Sequence, residues 1–217
     1  MPLAHSVIRS EHFELNLVLA CLHQLAQDAS RPPDFDVLYL ILDYIEGFPE
    51  TFHHPKEELY LFEAVRRRKP DAGPLIDRLC DEHAQGVDLM TELREALDAY
   101  ARDPKVGSRF HDVAMRYVAL EQAHMQCEEQ EILPLALKVL TREDWQEIAA
   151  AFLSNQHPLL NPTRQRQFDK LFGMILRVVP GGLVTQAEAL KAEQPYFQDS
   201  SSSSNSMRSA APSRSSY

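Results

Sequence analysis

The chain has 217 residues, of which 44% are hydrophobic, with 7 glycines and a formal net charge of -10. That length supports one sizeable domain with appendages, and scarce glycine favours helices over a β architecture. The negative charge argues against nucleic acid and anionic membrane as main partners, and no apolar run reaches the ~18 residues of a membrane span.

Residues 4–28 place Ile8, His12, Leu15, Leu19, Leu22 and Ala26 three and four apart, the stripe of an amphipathic helix. The segment SRPPDFD (30–36) breaks it. A second helical region runs from about Asp34 to Arg68, with a break or kink expected at Pro49 and Pro55. KPDAGP (69–74) ends that region. A third helix carries Ile76, Leu79, His83, Val87, Met90 and Leu97 on one side. After RDPKVGS (102–108), a fourth carries Phe110, Val113, Tyr117, His124, Glu128, Leu135 and Val139. Four long amphipathic helices with short breakers predict an all-α, up-down-up-down four-helix bundle over residues 1–140.

Residues 141–180 read as a helical extension packed on that bundle. It comprises TREDWQEIAAAFL (141–153), with Thr141 as N-cap, and TRQRQFDKLFGMILRVV (163–179). Residues 181–217 read as a linker and, from Asp199, a disordered serine-rich tail. The three cysteines, Cys21, Cys80 and Cys127, form no C-x-x-C pair and no disulfide framework, which suits a reducing cytoplasm.

Polar residues inside the stripes carry the functional signal. His12, His53, His83 and His124 fall at core positions, one per helix. Two of them open matching strings, HHPKEELYLF (53–62) and HMQCEEQEIL (124–133), each containing H-x-x-x-E-E. Four helical residues advance about 40° and about 6 Å, so Glu57 and Glu128 share their histidines' faces. Two buried carboxylates require a counter-charge, which two divalent metal ions supply. Imidazole with shared carboxylate favours iron, with manganese as the alternative. The strings are then matching half-sites, and Glu11-His12 and Glu82-His83 repeat the same half-symmetry.

A rival register exists. Glu50-x-x-His53 and Glu121-x-x-His124 match the Glu-x-x-His pattern of ferritin-like bundles, with Glu11 and Glu82 as the remaining core carboxylates. Glu82 sits off the stripe that His83 fits, so the histidine-rich register is preferred.

EHFEL (11–15), HHPKEELYLF (53–62), DEHAQG (81–86) and HMQCEEQEILP (124–134) resemble the hemerythrin-like, HHE cation-binding domain over about residues 4–138. The resemblance implies a four-helix bundle with a di-iron centre. Its ligands would be His12, His53, Glu57, His83, His124 and Glu128, with Glu57 and Glu128 bridging. His54 would either replace His53 or stand behind the ligands. Oxygen-carrying hemerythrins supply two histidines four apart from the third helix, whereas here Leu79 stands four before His83. A site with one imidazole fewer suits reaction with dioxygen, peroxide or nitric oxide better than reversible oxygen carriage. The alternatives are an iron- or oxygen-sensing module read by a protein partner through the C-terminal extension, and the ferritin-like di-metal oxidase.

Other candidates have structural readings. Cys80 and Cys127 read as packing residues, and Tyr60 and Tyr117 as core. His5, His23, His111 and His157 read as surface or structural, and RRRK (66–69) as a solvated helix end. Glu58 and Glu129 read as solvent-facing, or as partners that orient the histidines.

Overall fold

Apolar spacing and caps convert nearly all of the described chain into helix. A computed structural model describes residues 1–27, 33–153 and 170–175. Helix α1 (Leu3–Gln27) is followed by α2 (Phe35–Gly47), whose N-cap Asp34 accepts from the Val37 amide at 3.2 Å. The chain continues through a π-helical turn (Pro49–His53), α3 (His54–Lys56), a second π turn (Glu57–Phe62) and α4 (Glu63–Arg68). A 3₁₀ turn (Pro70–Ala72) leads to α5 (Gly73–Arg102), and another (Pro104–Val106) to α6 (Gly107–Cys127). A third π turn (Glu128–Ile132) joins α6 to α7 (Leu133–Val139), and α8 (Arg142–Leu153) follows.

The break expected near Pro49 and Pro55 takes the form of widened turns. Pro55 has no amide hydrogen to donate, and its ring crowds the preceding turn. The amides of His53 and His54 reach back five residues, to the carbonyls of Phe48 and Pro49. A π turn absorbs the misfit without ending the helix. The other two π turns begin at Glu57 and Glu128, the first glutamate of each repeated string. The sequence repeat is thus a backbone repeat as well.

Helices α1, α2, α5 and α6 pack in cyclic order, each against the next and α6 against α1. Their apolar residues form two clusters. One includes Leu15, Leu22, Ile45, Leu93 and Phe110; the other includes Ile8, Phe62, Leu79, Ile132 and Trp145. The histidines and glutamates lie between them: on α1, His12 separates Ile8 of one cluster from Leu15 of the other. One stripe residue departs from expectation. Val87 is 50% exposed, and its neighbour Gly86 takes the interior position.

Helix α8 packs against α1 and buries Trp145, Ile148 and Phe152. Thr141 caps it as expected: its hydroxyl accepts from the Asp144 amide at 3.3 Å, and Asp144 accepts from the Thr141 amide at 2.9 Å. The basic run is paired rather than merely solvated. Arg66 meets Asp77, Arg67 and Arg68 both meet the buried Asp144, and Lys69 meets Asp71. Phe172 and Ile175 bury against the first cluster. The rest of the 163–179 segment, His157 and the serine-rich tail lie outside the described residues. No described helix is long and apolar enough to cross a membrane.

Candidate metal centre

The six residues expected to converge do so. His12 and His53 come from α1 and the first π turn, and His83 from α5. His124 is near the end of α6, and Glu57 and Glu128 open their π turns. Glu57 turns Oε1 toward His12 Nε2 (3.5 Å) and His53 Nε2 (3.3 Å), and Oε2 toward His83 Nε2 (3.9 Å). Glu128 turns Oε2 toward His12 Nε2 (3.3 Å) and Oε1 toward His124 Nε2 (3.4 Å). Two overlapping groups have the spacing of metal sites: His12, His53 and Glu57, and Glu57, His83, His124 and Glu128. Among the described residues, His12 Nε2, His53 Nε2 and all four oxygens of Glu57 and Glu128 lack hydrogen-bond partners. Buried polar atoms in that number need an occupant.

The outer nitrogens are all held. His53 Nδ1 lies 2.7 Å from Glu11, and His124 Nδ1 lies 3.0 Å from Glu82. His83 Nδ1 lies 2.7 Å from Glu58, and His12 Nδ1 lies 3.3 Å from Glu129. The first two pairs stay within one half of the chain and the second two cross between halves. A carboxylate at Nδ1 favours the tautomer that turns a bare Nε2 inward, and the inward Nε2 atoms of His83 and His124 lie 2.8 Å apart. Of the rival register's carboxylates, Glu11 and Glu82 serve outer nitrogens, whereas Glu50 and Glu121 lie in the interior.

The electrostatics favour positive charge at the centre. Burial lowers the basicity of His12, but the close carboxylates of Glu128, Glu129 and Glu57 overcome this and hold it well above the ordinary range. Burial is likewise outweighed at His124, which Glu128 first, then Glu57 and Glu121, push up to about 9. Glu128 is held well below the usual carboxylate range by His124 and His12, against the effect of burial. Protons on these imidazoles answer the same need as a bound cation.

The profile of the hemerythrin HHE cation-binding domain matches residues 3–136. The chain belongs to this family. No curated protein matches it. A hemerythrin HHE domain binds cations, and the buried histidine and glutamate groups are compatible with that property.

Within this hemerythrin domain, Leu79 is fully buried among apolar neighbours. The missing imidazole has a neighbour elsewhere: His54 joins His83 and His124 in a third group and stacks on His83 with ring centroids 4.0 Å apart. Burial first, then the neighbouring His83, His53 and His124, holds its basicity well below the ordinary range. Sequence periodicity alone did not separate His54 from His53, because the π turn rotates both inward.

The two flanks of the hemerythrin centre differ. A cavity of about 290 Å³ opens beside His54 and His83, with Glu50, Cys80, Ala84 and Val87 in its walls. On the other flank Phe48 stacks on His53, and Phe152 meets it edge-on at 6.2 Å. Lys56 spans this flank, donating to the Phe152 carbonyl at 3.5 Å with its ammonium over the Phe52 ring. Of the remaining histidines, His5 is buried, His23 meets Gln27 and His111 bonds the Ala26 carbonyl.

Proposed function

We propose that this hemerythrin domain holds a dinuclear iron centre that binds dioxygen or reacts with peroxide or nitric oxide. Its ligands are His12, His53, Glu57, His83, His124 and Glu128, with Glu57 and Glu128 shared between two ions. One observation carries this: each of the two carboxylates turns one oxygen to each of two histidine groups, at 3.3–3.9 Å. Iron supplies, when bound, the one-electron couples and exchangeable positions such reactions need.

The chain's own residues do the rest. Glu11, Glu58, Glu82 and Glu129 hold the histidines in one tautomer and orientation. Phe48 and Phe152 keep water from the His53 flank. The cavity beside His83 and His54 admits a small molecule from the opposite flank. Leu79 offers no imidazole on the His83 side, where His54 stands within ligand spacing of His83 and His124 instead.

The test is anaerobic loading with iron(II), elemental analysis, and absorption spectra before and after dioxygen, peroxide or nitric oxide. Two irons per chain, with an oxidant-dependent near-ultraviolet band absent from His124→Ala, is the expected result. A chain that retains no iron after loading sinks the proposal.

A further inference from the structure

The cavity beside His54 and His83 carries charge of one sign. Two carboxylates, Glu50 and Glu58, stand in its walls, with Pro55, Ala84 and Val87 as the apolar part and Cys80 as a thiol. Among the described residues, no lysine or arginine lines it. Glu50 belongs to the first π turn, and its side chain is only 10% exposed. The Tyr117 hydroxyl donates to Glu50 Oε1 at 3.2 Å, while Oε2 is buried without a hydrogen-bond partner among the described residues. Glu58 is more open, at 41% exposed, with Oε1 2.7 Å from His83 Nδ1.

A carboxylate in the wall of a narrow space acts more strongly than one on an open surface. The low-dielectric walls weaken screening and focus its field. The charges around Cys80 add to this: Glu58, Asp77 and Asp81 oppose its ionisation, against Arg66 alone. Arg66 is itself bonded to Asp77 at 2.7 Å. Cys127 is placed differently. It does not line this cavity, and Arg78 Nη2 lies 2.8 Å from its sulfur. An anion entering the cavity loses hydration and meets two like charges, whereas a neutral molecule meets neither obstacle.

We infer that Glu50 and Glu58 make this cavity an anion-excluding entrance, so that the reactant of the centre is a small neutral or cationic molecule. The inference rests on the dinuclear reading in taking the cavity as the reactant's way in. Among oxidants, the filter favours dioxygen, hydrogen peroxide and nitric oxide over hypochlorite, nitrite or a peroxycarboxylate.

Cys80 reports the charge of this space without any metal. The full metal-free chain is treated at about pH 8.5 with two methanethiosulfonates of similar size, one bearing an ammonium and one a sulfonate. That pH lies above the value of about 7 to which burial raises Glu50. Rates at Cys80 and Cys127 are read by peptide mass spectrometry and divided by those of the denatured chain. At Cys80 the cationic reagent is expected to lead about tenfold, and at Cys127 by less. Glu50→Gln is expected to cut the lead at Cys80 about threefold, and Glu50→Asp to keep it. Equal rates at Cys80, a lead that Glu50→Gln does not reduce, or a Cys80 that reacts with neither reagent each overturns the inference. Should Glu50→Gln fail to fold, the wild-type lead is measured again in about 1 M salt, where it is expected to fall toward unity. A lead that salt leaves unchanged overturns the inference too. Because the labelling needs no iron, a chain that retains none sinks the dinuclear reading and leaves the charge of the cavity standing.

Discussion

Asp144 accepts from Arg68 Nε at 2.8 Å, tying α8 to the helical arm that carries His53 and Glu57. Helix α8 lies beyond the matched hemerythrin region, so this bond joins what is common to the family to what this chain adds. Arg68 first, then the Thr141 cap and Arg67, hold the Asp144 carboxyl well below the usual range, against burial. A depressed carboxylate stabilises the fold above its unfolded pKa, and that stability is lost as pH falls toward the folded value. Asp144→Asn is expected to lower stability by about 1 kcal/mol at neutral pH, a modest figure because both arginines are half-exposed. Below about pH 4 the gap between variant and wild type narrows. Urea unfolding at several pH values checks this, and a gap independent of pH would contradict it.

Glu58→Gln and Glu129→Gln remove the carboxylates that cross between halves. Each is expected to weaken metal binding about 10–100-fold. Competition with a coloured chelator measures the change. Unaltered affinity in both variants would mean that these bonds do not orient His83 and His12.

Leu79→His restores the residue of the oxygen-carrying pattern at a position inside the apolar cluster around Ile76 and Phe62. A polar ring buried there without a partner costs about 1–3 kcal/mol. Lower thermal stability with no increase in bound iron is the expected pair of results. A more stable holoprotein with tighter iron binding would show that the backbone can still offer a ligand there.

Burial pushes the Cys21 thiol up to about 11. Cys80 and Cys127 are also raised by burial but remain partly exposed. A chromogenic disulfide reagent at mildly alkaline pH is expected to titrate these two in the native protein. Cys21 then reacts only after denaturant is added. Three thiols reacting at one rate would place Cys21 at the surface.

Much of the centre was legible because it uses side chains that periodicity forbids. A histidine at a core position of each of four helices is a local conflict, and the conflict marks the site. The paired H-x-x-x-E-E strings also announced their symmetry. What the sequence hid follows from the π turns. One extra residue per turn rotates everything downstream, so a 3.6-residue wheel cannot tell that His53 and His54 both face inward. On the regular helix α5 the error is a different one: a step of four from His83 placed Val87 in the core, where the step of three, Gly86, sits instead. The roles of Glu58 and Glu129 were visible only as two options, since a partner across the bundle leaves no trace in local spacing. Asp144 gathered Arg67 and Arg68 from more than seventy residues away, which no reading of RRRK alone reveals.

The crossed carboxylates have a consequence for assembly. Either half of the chain, taken alone, holds two histidines of which one has lost its orienting glutamate to the other half. Each hairpin can therefore prepare only one of these two imidazoles, however well it folds. A loaded centre would certify that the two hairpins have docked in the correct register, and a slip of one turn along either would leave His12 and His83 free to spin.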